Sequence, residues 1–138
     1  MRYLLDTNIC IYLMNRRPPE VAERFDALTF GAVAMSAITL AELRHGIERR
    51  SEVKDEAERA LAMLLDQIPA IPFDGYAAEE YGRLMAPLAH RSRDAIDRLI
   101  ASHAASLDLV LVTNNEADFR DYSGLKVENW VTGFSNWQ

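Results

Sequence analysis

The strongest constraint on the fold of this chain is a set of short, unbroken apolar runs that stand apart, with segments of helical period between them. Leu109 to Thr113 reads LVLVT, Ala32 to Ser36 reads AVAMS, and Arg2 to Asp6 reads RYLLD. A strand with one wet face would alternate apolar and polar residues. These runs do not alternate, so each calls for cover on both faces, as the strands of a parallel sheet have. Ala70 to Phe73 (AIPF) is a weaker strand, with Pro72 marking an edge or an end. Lys126 to Val131 is a candidate last strand. Between the runs the period changes. Asn8 to Met14 reads as a helix, broken by Arg16-Arg17-Pro18-Pro19, and Pro19 suits the first turn of the next one. Val21, Phe25 and Leu28 then recur at helical spacing. Ile38 to Arg50, Val53 to Gln67, Asp74 through Tyr81 to about Ala89, and Asp94 to about Leu107 complete the helices. Strands alternating with helices give an α/β fold around a short, mostly parallel sheet with both faces covered.

At 138 residues the chain suits one domain, residues 1–138, with one sizeable core. No apolar stretch approaches the ~18 residues of a membrane span. Asp6 interrupts the apolar run after Arg2, so no signal peptide is expected and a cytoplasmic location follows. The single cysteine, Cys10, excludes an internal disulfide and reads as a buried thiol. The net charge of −6 argues against a protein that coats nucleic acid, but not against an enzyme that acts on it. Basic clusters at Arg16-Arg17, at Arg44-His45 with Arg49-Arg50, and at Arg91 with Arg93 are candidate RNA contacts or solvated surface.

The acids lie where such a sheet binds ligands, beyond the carboxyl ends of its strands. Asp6 closes the first run, followed by Thr7 and Asn8. It is either a helix cap or a ligand-bearing carboxylate. Glu42 follows the second run in SAITLAELRHG. Thr39 and Glu42 fit a capping box, yet Glu42 also starts from the edge that carries Asp6. Asp94 and Asp97 share one side of the helix start in RDAIDRLIASHAA, and Asp97 lies beside the buried face of Ile100, Ala101 and Ala104. Thr113, Asn114 and Asn115 end LVLVTNNEADF, with Glu116 and Asp118 close behind. Carboxylate, amide and hydroxyl oxygens suit Mg²⁺ or Mn²⁺, and such a set matches metal-assisted phosphodiester hydrolysis. His45, His90 and His103 have no zinc spacing, and no P-loop is present.

YLLDTNICIYL, SAITLAELRHGIE, DRLIASHAASLDLVLVTNNEADF and GLKVENW, in that order and over nearly the whole chain, resemble the PIN-domain toxins of the VapC type. The resemblance implies a three-layer α/β/α sandwich whose acidic crevice holds Mg²⁺, with Mn²⁺ able to substitute. It implies a metal-dependent endoribonuclease, the toxin of a bacterial type II toxin–antitoxin module, forming a homodimer and neutralised by a VapB-type antitoxin. Carried over, Asp6, Glu42 and Asp97 match the first three acids, with Asp6 and Asp97 as the principal metal ligands. Asn115 matches the fourth position, with Asp118 the other candidate, and Asn8 and Thr113 become supporting polar contacts. The chain departs from the family before the third acid. Arg93-Asp94-Ala95-Ile96-Asp97 lacks the usual glycine, so Asp94 is a further candidate for the metal shell.

Two other readings fit parts of the pattern. An aspartate-based phosphoryl-transfer domain would use Asp6, but its second Asp is replaced by Asn8 and no lysine follows LVLVTNN. A non-catalytic antitoxin- or RNA-binding module would use apolar surface on Val21 to Leu28 and Leu61 to Leu65, or Trp130 and Trp137. The core of the domain itself also accounts for these segments.

Overall fold

A computed structural model describes residues 1–88 and 95–132. Five strands form one sheet: β1 (Tyr3–Leu5), β2 (Val33–Ser36), β3 (Ala70–Ile71), β4 (Val110–Val112) and β5 (Val127–Glu128). Among the described residues six α-helices cover it: α1 (Thr7–Asn15), α2 (Pro19–Asp26), α3 (Ala37–Arg49), α4 (Lys54–Gln67), α5 (Gly75–Met85) and α6 (Ala95–Ser106). The strand order is β3-β2-β1-β4-β5, and every pairing is parallel. The chain builds outward from β1 in one direction, then returns to its other side at β4. That reversal leaves a crevice at the carboxyl ends of β1 and β4, the usual ligand position of an open parallel sheet.

The sheet is dry on both sides, as the unbroken apolar runs require. Tyr3 and Leu5 face a core built with Ile9, Cys10, Leu13, Val21, Leu43 and Leu61, from α1 to α4. Leu4 faces the opposite core with Ile100, Ala101, Ala104 and Leu111. Helices α5 and α6 pack together on that second side. Trp130 stands edge-on to Tyr3 with ring centroids 5.4 Å apart, so it closes the first core. Cys10 is buried as expected, and burial raises the pKa of its thiol. Val21, Leu61 and Leu64 are likewise spent on the core, whereas Met63 remains 70% exposed.

Several boundaries move for local reasons. Strand β3 stops at Ile71, before Pro72, and lies at the sheet edge. Helix α2 begins at Pro19 and ends at Asp26, short of Leu28. Arg16 ends α1 in the left-handed conformation (φ 54°), with its N–H turned back to Leu13 and Tyr12 carbonyls. Asp74 caps α5 through the Ala77 N–H, but the helix ends at Met85. Strand β5 shrinks from the expected Lys126 to Val131 to two residues, Val127–Glu128. Asp94, His90, Arg91, Arg93 and Trp137 lie outside the described residues.

The capping box expected from Thr39 and Glu42 does not form. Ser36, the last residue of β2, caps α3 by accepting from the Ile38 N–H at 3.0 Å. The helix therefore starts three residues earlier than a Thr39 cap would require. Thr39 is buried inside its first turn, and the Glu42 side chain is released from the helix end.

Candidate active site

Asp6 is the centre of the site. It is 9% exposed, follows β1 directly and caps α1, its Oδ1 accepting from the Ile9 N–H at 3.0 Å. The sheet register sets its neighbour. Leu5 pairs with Val112, so the next residue on each strand, Asp6 and Thr113, lie side by side. Thr113 is fully buried, hydrogen-bonds the Asp6 carboxylate, and accepts the Asn115 N–H on its Oγ1 at 3.1 Å. The helix-cap and site readings of Asp6 are thus both true of the same carboxylate.

Desolvation raises the Asp6 pKa to about 6, against the lowering effects of Thr113 and the Ile9 N–H, and the negative charges of Asp97 and Glu42 raise it further. Three carboxylates from β1, α3 and α6 therefore converge on one crevice. Glu42 is half-buried, and its Oε1 accepts a hydrogen bond from Thr7 Oγ1, which also lies 3.5 Å from the Thr39 hydroxyl. Asp97 is half-buried in the first turn of α6.

The remaining sequence candidates sit at the rim. Asn115 and Asp118 are exposed and bonded to each other, Nδ2 to Oδ2. Asn8 is exposed in the first turn of α1. Of the basic clusters, Arg16 is bonded to Asp26, and Arg44 to Glu48 and Glu58. Arg17, Arg49 and Arg50 make no ion pair among the described residues.

The groups gathered around Asp6 are hard oxygen donors, the Glu42 and Asp97 carboxylates and the Thr113 hydroxyl, and clustered negative charge on a desolvated carboxylate is relieved by a divalent cation. Among the described residues no three acidic or histidine side chains stand close enough to hold one ion directly. An ion at Asp6 would thus be held by one or two carboxylates and its own waters, the manner in which Mg²⁺ is typically bound.

The sequence reading did not anticipate two polar contacts. Thr7 reaches across to Glu42, and buried His103 on α6 places Nδ1 2.7 Å from Ser36 Oγ. The first follows from the position of Thr7 just after Asp6; the second joins residues 67 apart. Removing the Thr7 hydroxyl tests the first. Thr7→Val is expected to lower activity about 10- to 100-fold, as losing a group that orients a ligand does. Circular dichroism should show the fold unchanged.

The family model described as PIN domain matches residues 3–125. The tRNA(fMet)-specific endonuclease VapC of Shigella flexneri is 36% identical over 132 residues, covering 94% of this chain and 98% of that protein. Ribonuclease VapC2 of Haemophilus influenzae (strain Rd) is 35% identical over 133 residues, covering 95% and 99%. Among solved structures, VapBC2 of Rickettsia felis bound to a DNA fragment from their promoter contains a chain that superposes with a TM-score of 0.83. Its identity is 33%, with coverage of 95% of this chain and 100% of that one. DNA-bound VapBC from Salmonella typhimurium also gives 0.83, at 31% identity, covering 95% and 99%.

Proposed function

Because the chain belongs to the VapC ribonucleases of the PIN-domain family, we propose that it is an endoribonuclease, the toxin of a toxin–antitoxin pair, which hydrolyses RNA phosphodiester bonds and is neutralised by a VapB-type antitoxin. The observation that carries the activity is the convergence of Asp6, Glu42 and Asp97 at the crevice between β1 and β4. The naming of the relatives as ribonucleases and VapBC assemblies supports the class. The aspartyl-phosphate and non-catalytic readings have no such support.

The reading includes Mg²⁺ as cofactor, with Mn²⁺ able to replace it, held by Asp6 and Asp97 with Glu42 beside them. The bound ion would activate water for attack and neutralise charge on the phosphate. The side chains do the rest. Thr113 and the Ile9 N–H hold Asp6 in one orientation. Thr7 holds Glu42, whose carboxylate is then placed to orient a water through its free oxygen. Asn115 and Asp118 form a polar lip at the end of β4, where the fourth position of the family pattern falls. The reading also includes a homodimer and a cytoplasmic location. Among the described residues no helix is long and apolar enough to cross a membrane.

The test is cleavage of a mixed RNA pool that includes transfer RNA, with Mg²⁺, Mn²⁺ and EDTA arms and Asp97→Asn in parallel. Cutting is expected with either ion and none in EDTA. Asp97→Asn should fall on the order of 10²–10³-fold, the usual loss when one electrostatic group is removed. Cutting that survives EDTA would overturn the metal assignment. A wild-type protein inert on every RNA would overturn the activity.

A further inference from the structure

A sizeable cavity lies beside the carboxylates rather than among them. It has a volume of about 520 Å³ and lies between the α1–α2 junction and the segments that follow β4 and β5. Its apolar wall includes Ile11, Pro18 and Pro19; its polar groups include Tyr12, Arg17 and Asn114. That mixture of flat apolar surface with a few amide, hydroxyl and cationic groups is what a small planar ligand needs.

Two observations identify the occupant. The first is continuity. Asn114 directly follows Thr113, which bonds Asp6, so the inner end of the cavity begins about 3.8 Å of backbone from the site. A strand whose phosphate lies at the carboxylates has an adjoining nucleotide within reach of this cavity. The second is charge. Among the described residues that line the cavity, Arg17 alone is charged, and it makes no ion pair among the described residues, although neighbouring Arg16 is bonded to Asp26 and Arg24 to Glu128. The acidic crevice and this cationic rim thus match the two halves of a nucleotide chain, with the phosphate being cut on one side and a flanking nucleotide on the other.

We propose that this cavity binds a nucleobase flanking the scissile phosphate and is the specificity subsite of the enzyme. The inference rests on the ribonuclease reading for its occupant. Pro18, Pro19 and Ile11 form the surface against which the base lies. The Arg17 guanidinium stacks on it or pairs with its phosphate. Asn15, also in the lining, offers a side-chain amide to a base edge. Tyr12 accepts from Asn114 Nδ2 at 2.8 Å and keeps its own hydroxyl proton for the ligand. A peptide would exploit the apolar wall equally, but the Arg17 guanidinium on the rim favours a ligand that carries a phosphate.

The test has two arms. Adenosine, guanosine, cytidine and uridine 5′-monophosphates are titrated, in EDTA and at millimolar concentration, into Asp97→Asn protein. The Asn15, Asn114 and Asn129 side-chain amides and the Arg17 Nε–H are followed by NMR. At least one nucleotide is expected to shift these signals, and Val131→Trp, which fills the cavity, should remove the response. In the second arm, Val131→Trp and the rim variant Arg17→Ala are assayed on the best-cut RNA. Each should raise KM roughly tenfold, the loss of about one stacked base, and change the preferred flanking nucleotide. The absence of nucleotide-induced shifts overturns the proposal, as do shifts that Val131→Trp leaves intact or unchanged KM and preference in both variants. If the wild type cuts no RNA but the nucleotide shifts appear and vanish with Val131→Trp, the subsite stands and the ribonuclease reading fails. If RNA is cut normally and the shifts are absent, the reverse holds.

Discussion

Asp6→Asn is expected to reduce RNA cleavage on the order of 10²–10³-fold while making the metal-free protein more stable at pH 7. Both effects come from one carboxylate. Asp6 is buried beside Asp97 and Glu42, and its pKa stands at about 6 against an ordinary 3.8. The sign follows from which state binds the proton. Below about pH 4 the group is protonated in folded and unfolded chains alike and costs nothing. Between about 4 and 6 the unfolded chain ionises first, so stability falls as pH rises. Above about 6 the penalty is complete, at about 3 kcal/mol for a shift of roughly two units. An asparagine keeps an oxygen for the Ile9 N–H and never ionises. Urea denaturation of both proteins from pH 4 to pH 7, without divalent ions, should show the wild type losing ground to the variant as pH rises. A constant difference across that range would mean that Asp6 is not desolvated as described. Mn²⁺ should then narrow the gap by stabilising the wild type alone.

His103→Leu is expected to destabilise the protein by about 2–4 kcal/mol, from one or two buried partners left unsatisfied at about 1–3 kcal/mol each. His103 is 1% exposed. A neutral imidazole that accepts the Ser36 hydroxyl proton on Nδ1 and donates to the Pro72 carbonyl satisfies all three groups at once. Ser36 meanwhile caps α3. The contact therefore joins the helix that carries Asp97 to the start of the helix that carries Glu42. Cleavage should fall with stability in His103→Leu, and His103→Gln, which keeps a donor and an acceptor, should recover part of both. Burial lowers the His103 pKa, so below about pH 6.5 the unfolded chain takes up a proton that the folded chain resists. The wild type should accordingly lose stability as pH falls below about 6.5, and His103→Leu should lack that component. A leucine variant with wild-type stability would show that the contact bears no load.

These two residues also divide what was legible in the sequence from what was not. Asp6 could be read directly. An acid at the end of an unbroken apolar run lies at a strand's carboxyl end, and the alternation of such runs with helices calls for a parallel sheet. The same reasoning carried Glu42 and Asp97, each near the start of a helix that leaves or returns to that edge. Periodicity is a local property, so composition and spacing along the chain were enough to place the elements within a few residues.

Sequence alone determined the α/β class, the buried strands, the acidic edge and the family pattern. Tertiary structure alone decided the strand order that brings β4 beside β1, and with it the Asp6–Thr113 contact. It also decided that Ser36 rather than Thr39 caps α3, which frees Glu42 to meet Thr7. Asn115 and Asp118 turned to each other for the same reason: a short polar side chain takes the nearest partner that the fold presents. Which partner a polar group finds depends on groups dozens of residues away, and their separation in space is set only when both cores have closed. His103 and Ser36, 67 residues apart, carry no signal of each other along the chain, yet packing α6 against α3 leaves each to satisfy the other.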